Sequence, residues 1–160
     1  MSYRIGLGYD VHKLAEGETL WLGGILIPHD KGLVAHSDGD VLLHAICDAL
    51  LGAAKLRDIG YHFPDTSSDF KNIDSKVLLA ETYRLVTEKG FHLVNLDATI
   101  SAQRPKLKDF IPKMEETISF VLKVDVEAVN IKATTTEKLG FEGREEGISV
   151  QAVVLIEKKG

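Results

Sequence analysis

Cysteine, long apolar runs and clusters of basic residues are all scarce in this chain. Its single cysteine, Cys47, cannot form a disulfide within the chain, which favours a reducing compartment. No apolar run reaches the roughly 20 residues of a membrane-spanning helix, and the N-terminus lacks the basic and apolar regions of a signal peptide. The net charge is −5 and there is no basic run, which argues against binding to nucleic acid. We therefore expect a cytoplasmic protein with neither a membrane nor a nucleic acid as partner.

The composition is that of a folded protein with one hydrophobic core. Hydrophobic residues make up 44% and charged residues 27% of the 160 positions, as in soluble globular domains. This length suffices for one ordinary domain but not for two, and no repeat or linker divides it. The sequence therefore predicts a single domain over residues 1–160. An acidic domain can still bind a polyphosphate if metal ions and helix N-termini supply positive potential.

Periodicity and capping signals predict strands interleaved with three helices. Strands are expected over residues 4–9, 93–101, 126–134 and 148–157, and residues 19–27 together with the short segment after Pro28 indicate a hairpin or two short strands. Helices are expected over 41–51, 75–89 and 111–122. Ser37 resembles the start of a capping box for the first, and Asp74 or Ser75 caps the second. These elements predict an α+β sandwich, a mostly mixed β-sheet with three main helices on one face. The other face needs a cover, for which oligomerisation is the obvious candidate.

An alternating segment near the N-terminus places two metal-binding side chains on one face of a strand. In residues 5–12, large side chains alternate with Gly6, Gly8, Asp10 and His12. Because successive side chains of a strand point to opposite faces, Asp10 and His12 share the face that the glycines leave bare. A third ligand, His44 in the first predicted helix, would complete a zinc site with one position open for substrate.

The same three residues also permit simpler interpretations. An Asp-x-His pair on a surface strand, or a partly buried helix histidine, needs no metal. The position of Asp48 favours the interpretation as a metal site, because Asp48 lies four residues after His44 on the same side of the helix. Its carboxylate is expected to accept the proton of the His44 ring nitrogen that does not bind the metal.

Two segments have the composition of phosphate-binding sites. His36 and Ser37 precede the first helix, where backbone N–H groups and the helix dipole favour a phosphate, although a helix cap alone would explain Ser37. Thr134, Thr135 and Thr136 end a predicted strand, where their hydroxyl and N–H groups could hold a pyrophosphate. They could equally be β-branched strand residues that run into a turn.

Charged residues near these segments extend the hypothesis of a phosphate site. Glu137 offers a hard oxygen ligand for Mg²⁺ or Mn²⁺, and Arg144 offers charge-assisted hydrogen bonds to phosphate. Lys106 follows the strand predicted over 93–101 and is available for an anion. The segment 57–73 is rich in turn-forming residues and long for a connector, as functional or mobile loops are.

Five motifs, in order along the whole chain, resemble the 2-C-methyl-D-erythritol 2,4-cyclodiphosphate synthase family. They are Tyr9-Asp10-Val11-His12; Ala35-His36-Ser37-Asp38-Gly39-Asp40-Val41-Leu42-Leu43-His44; Asp58-Ile59-Gly60 with Phe63-Pro64-Asp65-Thr66; Ala102-Gln103-Arg104-Pro105-Lys106; and Lys132-Ala133-Thr134-Thr135-Thr136-Glu137-Lys138-Leu139-Gly140-Phe141.

The resemblance implies a phosphorus–oxygen lyase of the non-mevalonate isoprenoid pathway. It would convert 4-diphosphocytidyl-2-C-methyl-D-erythritol 2-phosphate into the cyclic diphosphate and CMP, as a homotrimer with active sites at subunit interfaces. Zn²⁺ would bind to Asp10, His12 and His44, and Mg²⁺ or Mn²⁺ near Glu137. His36 and Thr135 would stabilise the transition state.

The resemblance also assigns the substrate contacts. Beside the metal these are Asp10, Val11, His12, His36 and Ser37. The loop that binds the erythritol would contribute Asp58, Ile59, Gly60, Phe63, Pro64, Asp65, Thr66 and Ser67. The cytidine and diphosphate contacts would be Ala102, Gln103, Arg104, Pro105, Lys106, Leu107, Lys108, Thr134, Thr135, Thr136, Glu137, Phe141 and Arg144.

The chemistry of this reaction suits metal ligands and phosphate-binding hydroxyls without a protein nucleophile. The nucleophile is the substrate's own 2-phosphate, which is already ionised at neutral pH. Two alternatives remain open. One is a zinc-dependent phosphoester hydrolase, whose open zinc position activates water. The other is a trimer that senses cytidine phosphates without turnover.

Overall fold

The computed structural model describes residues 2–158. Its elements are, in order, β1 (Ser2–Glu16), β2 (Leu20–Leu22), β3 (Ile25–Ile27), β4 (Lys31–Val34), α1 (Val41–Ala53), α2 (Ile59–His62), α3 (Ser75–Glu88), β5 (Phe91–Ser101), α4 (Ile111–Leu122), β6 (Val129–Thr134), α5 (Gly140–Gly143) and β7 (Gly147–Lys158). Two 3-10 helices, Ser68–Phe70 and Val126–Ala128, lie between them. The α+β class is confirmed, and α3, α4 and β5 begin and end within two residues of their predicted bounds.

A five-stranded mixed sheet forms the centre of the fold. Its strand order is β4-β1-β7-β5-β6, and β2 pairs with β3 in a separate hairpin, which is one of the two arrangements predicted for this region. β7 runs antiparallel to β1 and β5, whereas β5 and β6 are parallel. Strands β1, β5 and β6 therefore end at the same edge of the sheet. The predicted metal ligands Asp10 and His12, in the second half of β1, and the predicted nucleotide segments that follow β5 and β6 lie along this edge.

The larger differences from the prediction are the bounds of two strands and the identity of one helix cap. β1 extends beyond residues 4–9 because its first twelve residues pair with β7 and its last four pair with β4. β6 begins at Val129 instead of residue 126, because Asp125 caps a 3-10 helix at that point. Ser37 is not the N-cap of α1: Asp40 is, and its side chain accepts a hydrogen bond from Leu43 N.

Helix α1 packs directly on the sheet because two glycines of β1 leave room for its backbone. A Cβ atom on Gly6 would lie 1.9 Å from Ala49 O, and one on Gly8 would lie 1.8 Å from Ala45 O. Almost all of α1 is buried, with α3 packed against it, while α4 packs against β6. Three long helices thus cover one face of the sheet, as predicted, whereas the one-turn helices α2 and α5 were not predicted.

The opposite face of β1 is apolar and exposed in a single chain. Its side chains keep between 42% and 76% of their surface accessible; they are Tyr3, Ile5, Leu7, Tyr9 and Val11, which we call the β1 stripe. These residues alternate with the glycines that contact α1, as the period of two in a strand requires. The β1 stripe is the face for which the sequence predicted a cover.

Membrane insertion through a helix has no support in the part of the chain that the structure describes. None of the helices there combines the length and the apolar character that crossing a bilayer requires.

Candidate metal centre and phosphate-binding cavities

His44 reaches Asp10 because α1 lies antiparallel to β1. Gly6 of β1 faces Ala49 of α1, and Gly8, two residues later in β1, faces Ala45, four residues earlier in α1. The two steps match in length, since two strand residues span about 6.7 Å and four helix residues about 6 Å. The next such step brings residue 10 of β1 opposite the first turn of α1, which carries His44.

Asp10, His12 and His44 converge as predicted. Asp10 Oδ2 lies 3.1 Å from His12 Nε2 and 3.3 Å from His44 Nδ1. Two ligands of a tetrahedral zinc ion, each about 2.0–2.1 Å from the metal, are about 3.3–3.4 Å apart, so this spacing suits such an ion. Among residues 2–158, no other group of three or more His, Cys, Asp or Glu side chains is placed to hold a metal.

The outward hydrogen-bond partners of the two imidazoles fix the tautomer that each ring adopts when it is neutral. His12 Nδ1 lies 2.9 Å from Gly39 O, and because a carbonyl only accepts, Nδ1 carries the proton. His44 Nε2 lies 2.8 Å from Ser75 Oγ, whose own hydrogen is donated to Asp38 Oδ1, so Nε2 carries the proton of this ring. When both rings are neutral, two nitrogen lone pairs face a carboxylate oxygen, and a cation would satisfy all three.

The pKa shifts in this group also favour a positive charge. Burial by itself would raise the pKa of Asp10, but hydrogen bonds with His12 and His44 outweigh burial and hold that pKa well below its usual value. Burial would lower the pKa of His12, yet its contact with Asp10 raises that pKa overall. The group therefore attracts positive charge, which protons on the rings supply in the metal-free chain and which a divalent metal would supply after displacing those protons.

The prediction that Asp48 would bond to the ring of His44 is wrong. Asp48 Oδ1 instead accepts a hydrogen bond of 2.7 Å from Ile59 N and joins the start of α2 to α1. Ser75, the first residue of α3, bonds to the ring nitrogen in its place. Spacing along α1 identified the residue one turn away but carried no information about the neighbouring helix.

A cavity of about 340 Å³ surrounds the metal group; we call it the metal cavity. The predicted site residues that line it are Asp10, His12, His36, Ser37, His44, Ile59, Gly60, Phe63 and Asp65. The lining residues that sequence reasoning missed are Val34, Ala35, Phe70, Ile73 and Leu78. All five are apolar, and apart from Ala35, which begins a family motif, they belong to none of the motifs, so only the fold identifies them. Phe70 packs edge-on against Phe63, with ring centroids 5.5 Å apart.

Four other predicted residues belong to the same loop without lining the metal cavity: Asp58, Pro64, Thr66 and Ser67. Asp58 caps α2 by accepting a hydrogen bond from Tyr61 N. The carbonyl oxygen of Ser67 lies 3.3 Å from His36 Nε2, which ties the loop to the wall of the cavity.

Most of the predicted cytidine contacts line a second cavity, which we call the nucleotide cavity, beyond the ends of β5 and β6. They are Ala102, Gln103, Pro105, Lys106, Leu107, Lys108, Thr134 and Thr135. Gln103 Oε1 accepts a hydrogen bond of 3.1 Å from Lys138 N and so links the two loops. Arg104, Thr136 and Glu137 are neighbours of these residues in the chain but do not line the cavity.

The sheet keeps the two cavities of one chain apart. Asp10, Val150, Ile100 and Ala133 form one row across β1, β7, β5 and β6. Three strand spacings of about 4.8 Å separate Asp10 from Ala133 by about 14 Å. Glu137 is exposed and lies outside the group formed by Asp10 and the two histidines, so its role as a metal ligand stays a prediction.

The last predicted residues lie near the start of β7. Val11 and Phe141 line a third cavity together with His12. Arg144 is exposed, and its Nε lies 2.9 Å from Glu146 Oε1. The role of Arg144 as a phosphate contact stays a prediction.

Comparison with known proteins decides the family. The model of the YgbB family matches residues 3–157. The chain belongs to the YgbB family. A member from Bacteroides thetaiotaomicron named 2-C-methyl-D-erythritol 2,4-cyclodiphosphate synthase is 64% identical over 158 residues, which are 99% of both chains. A protein of the same name from Azotobacter vinelandii is 63% identical and covers 96% of this chain and 98% of its own.

Solved structures of the family agree with this fold. The bifunctional IspDF from Campylobacter jejuni matches 99% of the chain with a TM-score of 0.95 and 49% identity, and the chain spans 43% of that protein. IspF of Plasmodium falciparum in complex with CDP matches 99% of the chain with a TM-score of 0.87 and 35% identity, over 98% of its own length. These findings confirm the predicted family and the predicted enzyme class, a phosphorus–oxygen lyase of isoprenoid biosynthesis.

Proposed function

We propose that the protein converts 4-diphosphocytidyl-2-C-methyl-D-erythritol 2-phosphate into 2-C-methyl-D-erythritol 2,4-cyclodiphosphate and CMP. The observation that carries the proposal is the convergence of Asp10, His12 and His44 in a cavity with His36 and Ser37, within a chain of this family. Relatives named for the cyclic product and solved relatives in complex with CDP support the substrate class. The single cysteine favours the cytoplasm as the compartment.

Asp10, His12 and His44 would hold Zn²⁺, and Glu137 would serve Mg²⁺ or Mn²⁺ near the α- and β-phosphates. One carboxylate with two neutral imidazoles is a ligand set that zinc accepts, while a lone exposed carboxylate suits a harder cation. When bound, these ions polarise phosphate oxygens and neutralise charge that develops on them.

The side chains of the site bring the two ends of one substrate together. An oxygen of the 2-phosphate forms a bond to the β-phosphorus, and the bond from that phosphorus to the bridging oxygen of the departing CMP breaks. His36 and Thr135 would donate hydrogen bonds to oxygens that gain charge in the transition state. Holding both reacting groups in contact can contribute roughly 7–11 kcal/mol in favourable cases.

The division of the predicted contacts suggests how the substrate lies. The erythritol 2-phosphate would occupy the metal cavity, against the loop with Asp58, Gly60 and Asp65. The cytidine would occupy the nucleotide cavity between residues 102–108 and 134–135. Arg144 and Phe141 would add contacts from the segment that precedes β7.

We further propose that the active form is a homotrimer with interfacial active sites. A separation of about 14 Å across one sheet keeps the metal cavity and the nucleotide cavity of a single chain apart. The exposed β1 stripe supplies the apolar surface that an obligate assembly buries. Each active site would combine the metal cavity of one subunit with the nucleotide cavity of another.

Incubation with the diphosphocytidyl substrate, Zn²⁺ and Mg²⁺ tests the proposed reaction. We expect the cyclic diphosphate and CMP in equal amounts. In oxygen-18 water the cyclic product would carry no label, because the attacking oxygen comes from the substrate. Label in a phosphate group would instead indicate a zinc-dependent hydrolase, and unchanged substrate would indicate a protein that senses nucleotides.

The proposed ligand set is tested by His44→Ala. We expect this variant to lose both zinc retention and turnover while it keeps the parent's assembly, because it removes one of three ligands. His92→Ala is the matched control, since His92 lies on β5 and lines neither the metal cavity nor the nucleotide cavity. Zinc content measured on the purified proteins decides the matter, and normal content in His44→Ala would contradict the assignment.

A further inference from the structure

Two side chains that are not among the proposed site residues, Ser75 and Asp38, form a hydrogen-bonded chain that ends at His44 Nε2, the ring nitrogen that points away from Asp10. Ser75 Oγ lies 2.8 Å from His44 Nε2 and 2.5 Å from Asp38 Oδ1. The other carboxylate oxygen, Asp38 Oδ2, accepts a hydrogen bond of 2.8 Å from Ser75 N. Ser75 is fully buried and His44 keeps only 9% of its surface exposed, so water cannot readily replace this partner.

The direction of these hydrogen bonds follows from counting protons. Asp38 is a carboxylate and can only accept, so the single hydroxyl hydrogen of Ser75 points to Asp38. The lone pairs of Ser75 Oγ therefore face His44 Nε2 at 2.8 Å, a contact that attracts only if Nε2 carries a proton. Ser37 Oγ is a second oxygen near Nε2, at the longer distance of 3.3 Å. In the neutral ring the opposite nitrogen, Nδ1, is then the one with a lone pair directed at Asp10.

We propose that Asp38 and Ser75 are positioning residues that hold His44 in the tautomer and orientation that bind the metal. The inference rests on the proposed role of His44 as a ligand. Groups that fix a metal-binding histidine in this way commonly contribute 10–100-fold to metal affinity.

The hydrogen bonds that join Asp38, Ser75 and His44, which we call the relay, are held in place by the surrounding backbone. Asp38 Oδ1 also accepts a hydrogen bond of 3.0 Å from Asp40 N, next to the start of α1, and Asp38 N donates to Ile73 O at 3.2 Å. Ser75 is the first residue of α3. The relay therefore joins the starts of two helices, and the ring of His44 cannot turn without disturbing both.

The other ligand histidine is held differently. The proton of His12 goes to the backbone carbonyl of Gly39, which no substitution of a side chain removes. His44 is thus the ligand whose orientation depends on side chains that can be replaced one at a time, which makes the relay testable.

Zinc titration of the metal-free protein against a chromophoric chelator tests the proposal. We expect Ser75→Ala to bind zinc about 10–100-fold more weakly than the parent. Ser75→Thr keeps the hydroxyl and should recover most of that loss. Ser119→Ala is the matched control, because it removes another buried serine hydroxyl, on α4, that bonds to Glu116 O. Asp38→Asn keeps an acceptor but loses the charge and should give an intermediate affinity.

Nuclear magnetic resonance of the metal-free proteins supplies a readout that a general loss of packing would not move. The Nε2 proton of His44 should give a slowly exchanging signal in the parent and in Ser119→Ala, and this signal should be lost in Ser75→Ala. Zinc affinity of Ser75→Ala within about twofold of the parent, or an equal loss in Ser119→Ala, would overturn the inference. A parent that binds no zinc would overturn the proposed metal centre itself.

Discussion

Asp40 holds together two pieces of backbone, the start of α1 and the loop between β2 and β3. It is fully buried, and its carboxylate accepts hydrogen bonds from Gly23 N at 3.0 Å, Gly24 N at 2.7 Å and Leu43 N at 3.1 Å. Burial raises the pKa of Asp40, although these N–H groups favour its ionised form. One side chain thus caps a helix and anchors the loop between β2 and β3.

We expect Asp40→Ala to lower the free energy of unfolding by about 3 kcal/mol, because a cap is lost and buried N–H groups are left without an acceptor. Asp74→Ala is the matched control. Asp74 is the N-cap of α3, but it is exposed and caps through Lys76 N alone, so its loss should cost about 1 kcal/mol. Urea denaturation measures both values, and equal losses would contradict the role given to Asp40.

Among the secondary-structure elements, the packing of α1 on β1 is what brings His44 to Asp10 and His12. Alternation along β1 correctly placed Asp10 and His12 on one face, and Pro112 helped to identify the start of α4, because both signals are local. The 3-10 helix at 126–128 was missed, since a β-branched segment after Asp125 reads as a strand until the cap is seen. The face of β1 that Gly6 and Gly8 leave without side chains is the face on which α1 packs.

We expect Gly8→Ala to lower the free energy of unfolding by at least 1–3 kcal/mol, because the new methyl group would collide with the backbone of α1. The same displacement would move His44 away from Asp10 and weaken zinc binding. Gly52→Ala is the control: Gly52 lies exposed on α1, a Cβ there meets nothing within 4 Å, and alanine should stabilise the helix by up to about 1 kcal/mol. Denaturation and zinc titration of both variants are the measurements. Unchanged stability of Gly8→Ala would contradict the close packing.

The β1 stripe is the main feature at the scale of the whole molecule. Leu7 and Ile5 keep 67% and 76% of their surface exposed, which is unusual for residues in the middle of the longest strand described. Contiguous exposed apolar surface of this kind marks an interface. The proposed trimer gives the stripe a partner and each metal cavity a nucleotide cavity.

We expect light scattering to give the parent a mass of three 17.6 kDa chains and Leu7→Asp the mass of one, because burial of an unpaired carboxylate opposes assembly. Leu7→Asp should also lose turnover if the active sites are interfacial. Phe120→Asp is the control, since Phe120 is 83% exposed on α4 and lies outside the stripe. A Leu7→Asp variant with the mass of the parent would refute this use of the stripe.

The sequence by itself determined what depends on neighbours along the chain: the shared face of Asp10 and His12, the two longest later helices, and the motifs that identify the family. Tertiary structure alone decided that Ser75, not Asp48, bonds to His44, and that Asp40, not Ser37, caps α1. It also decided that residues 134–137 lie far across the sheet from the metal group. The physical reason is that these outcomes depend on which elements pack together, and the hydrogen-bond partners come from segments distant in sequence.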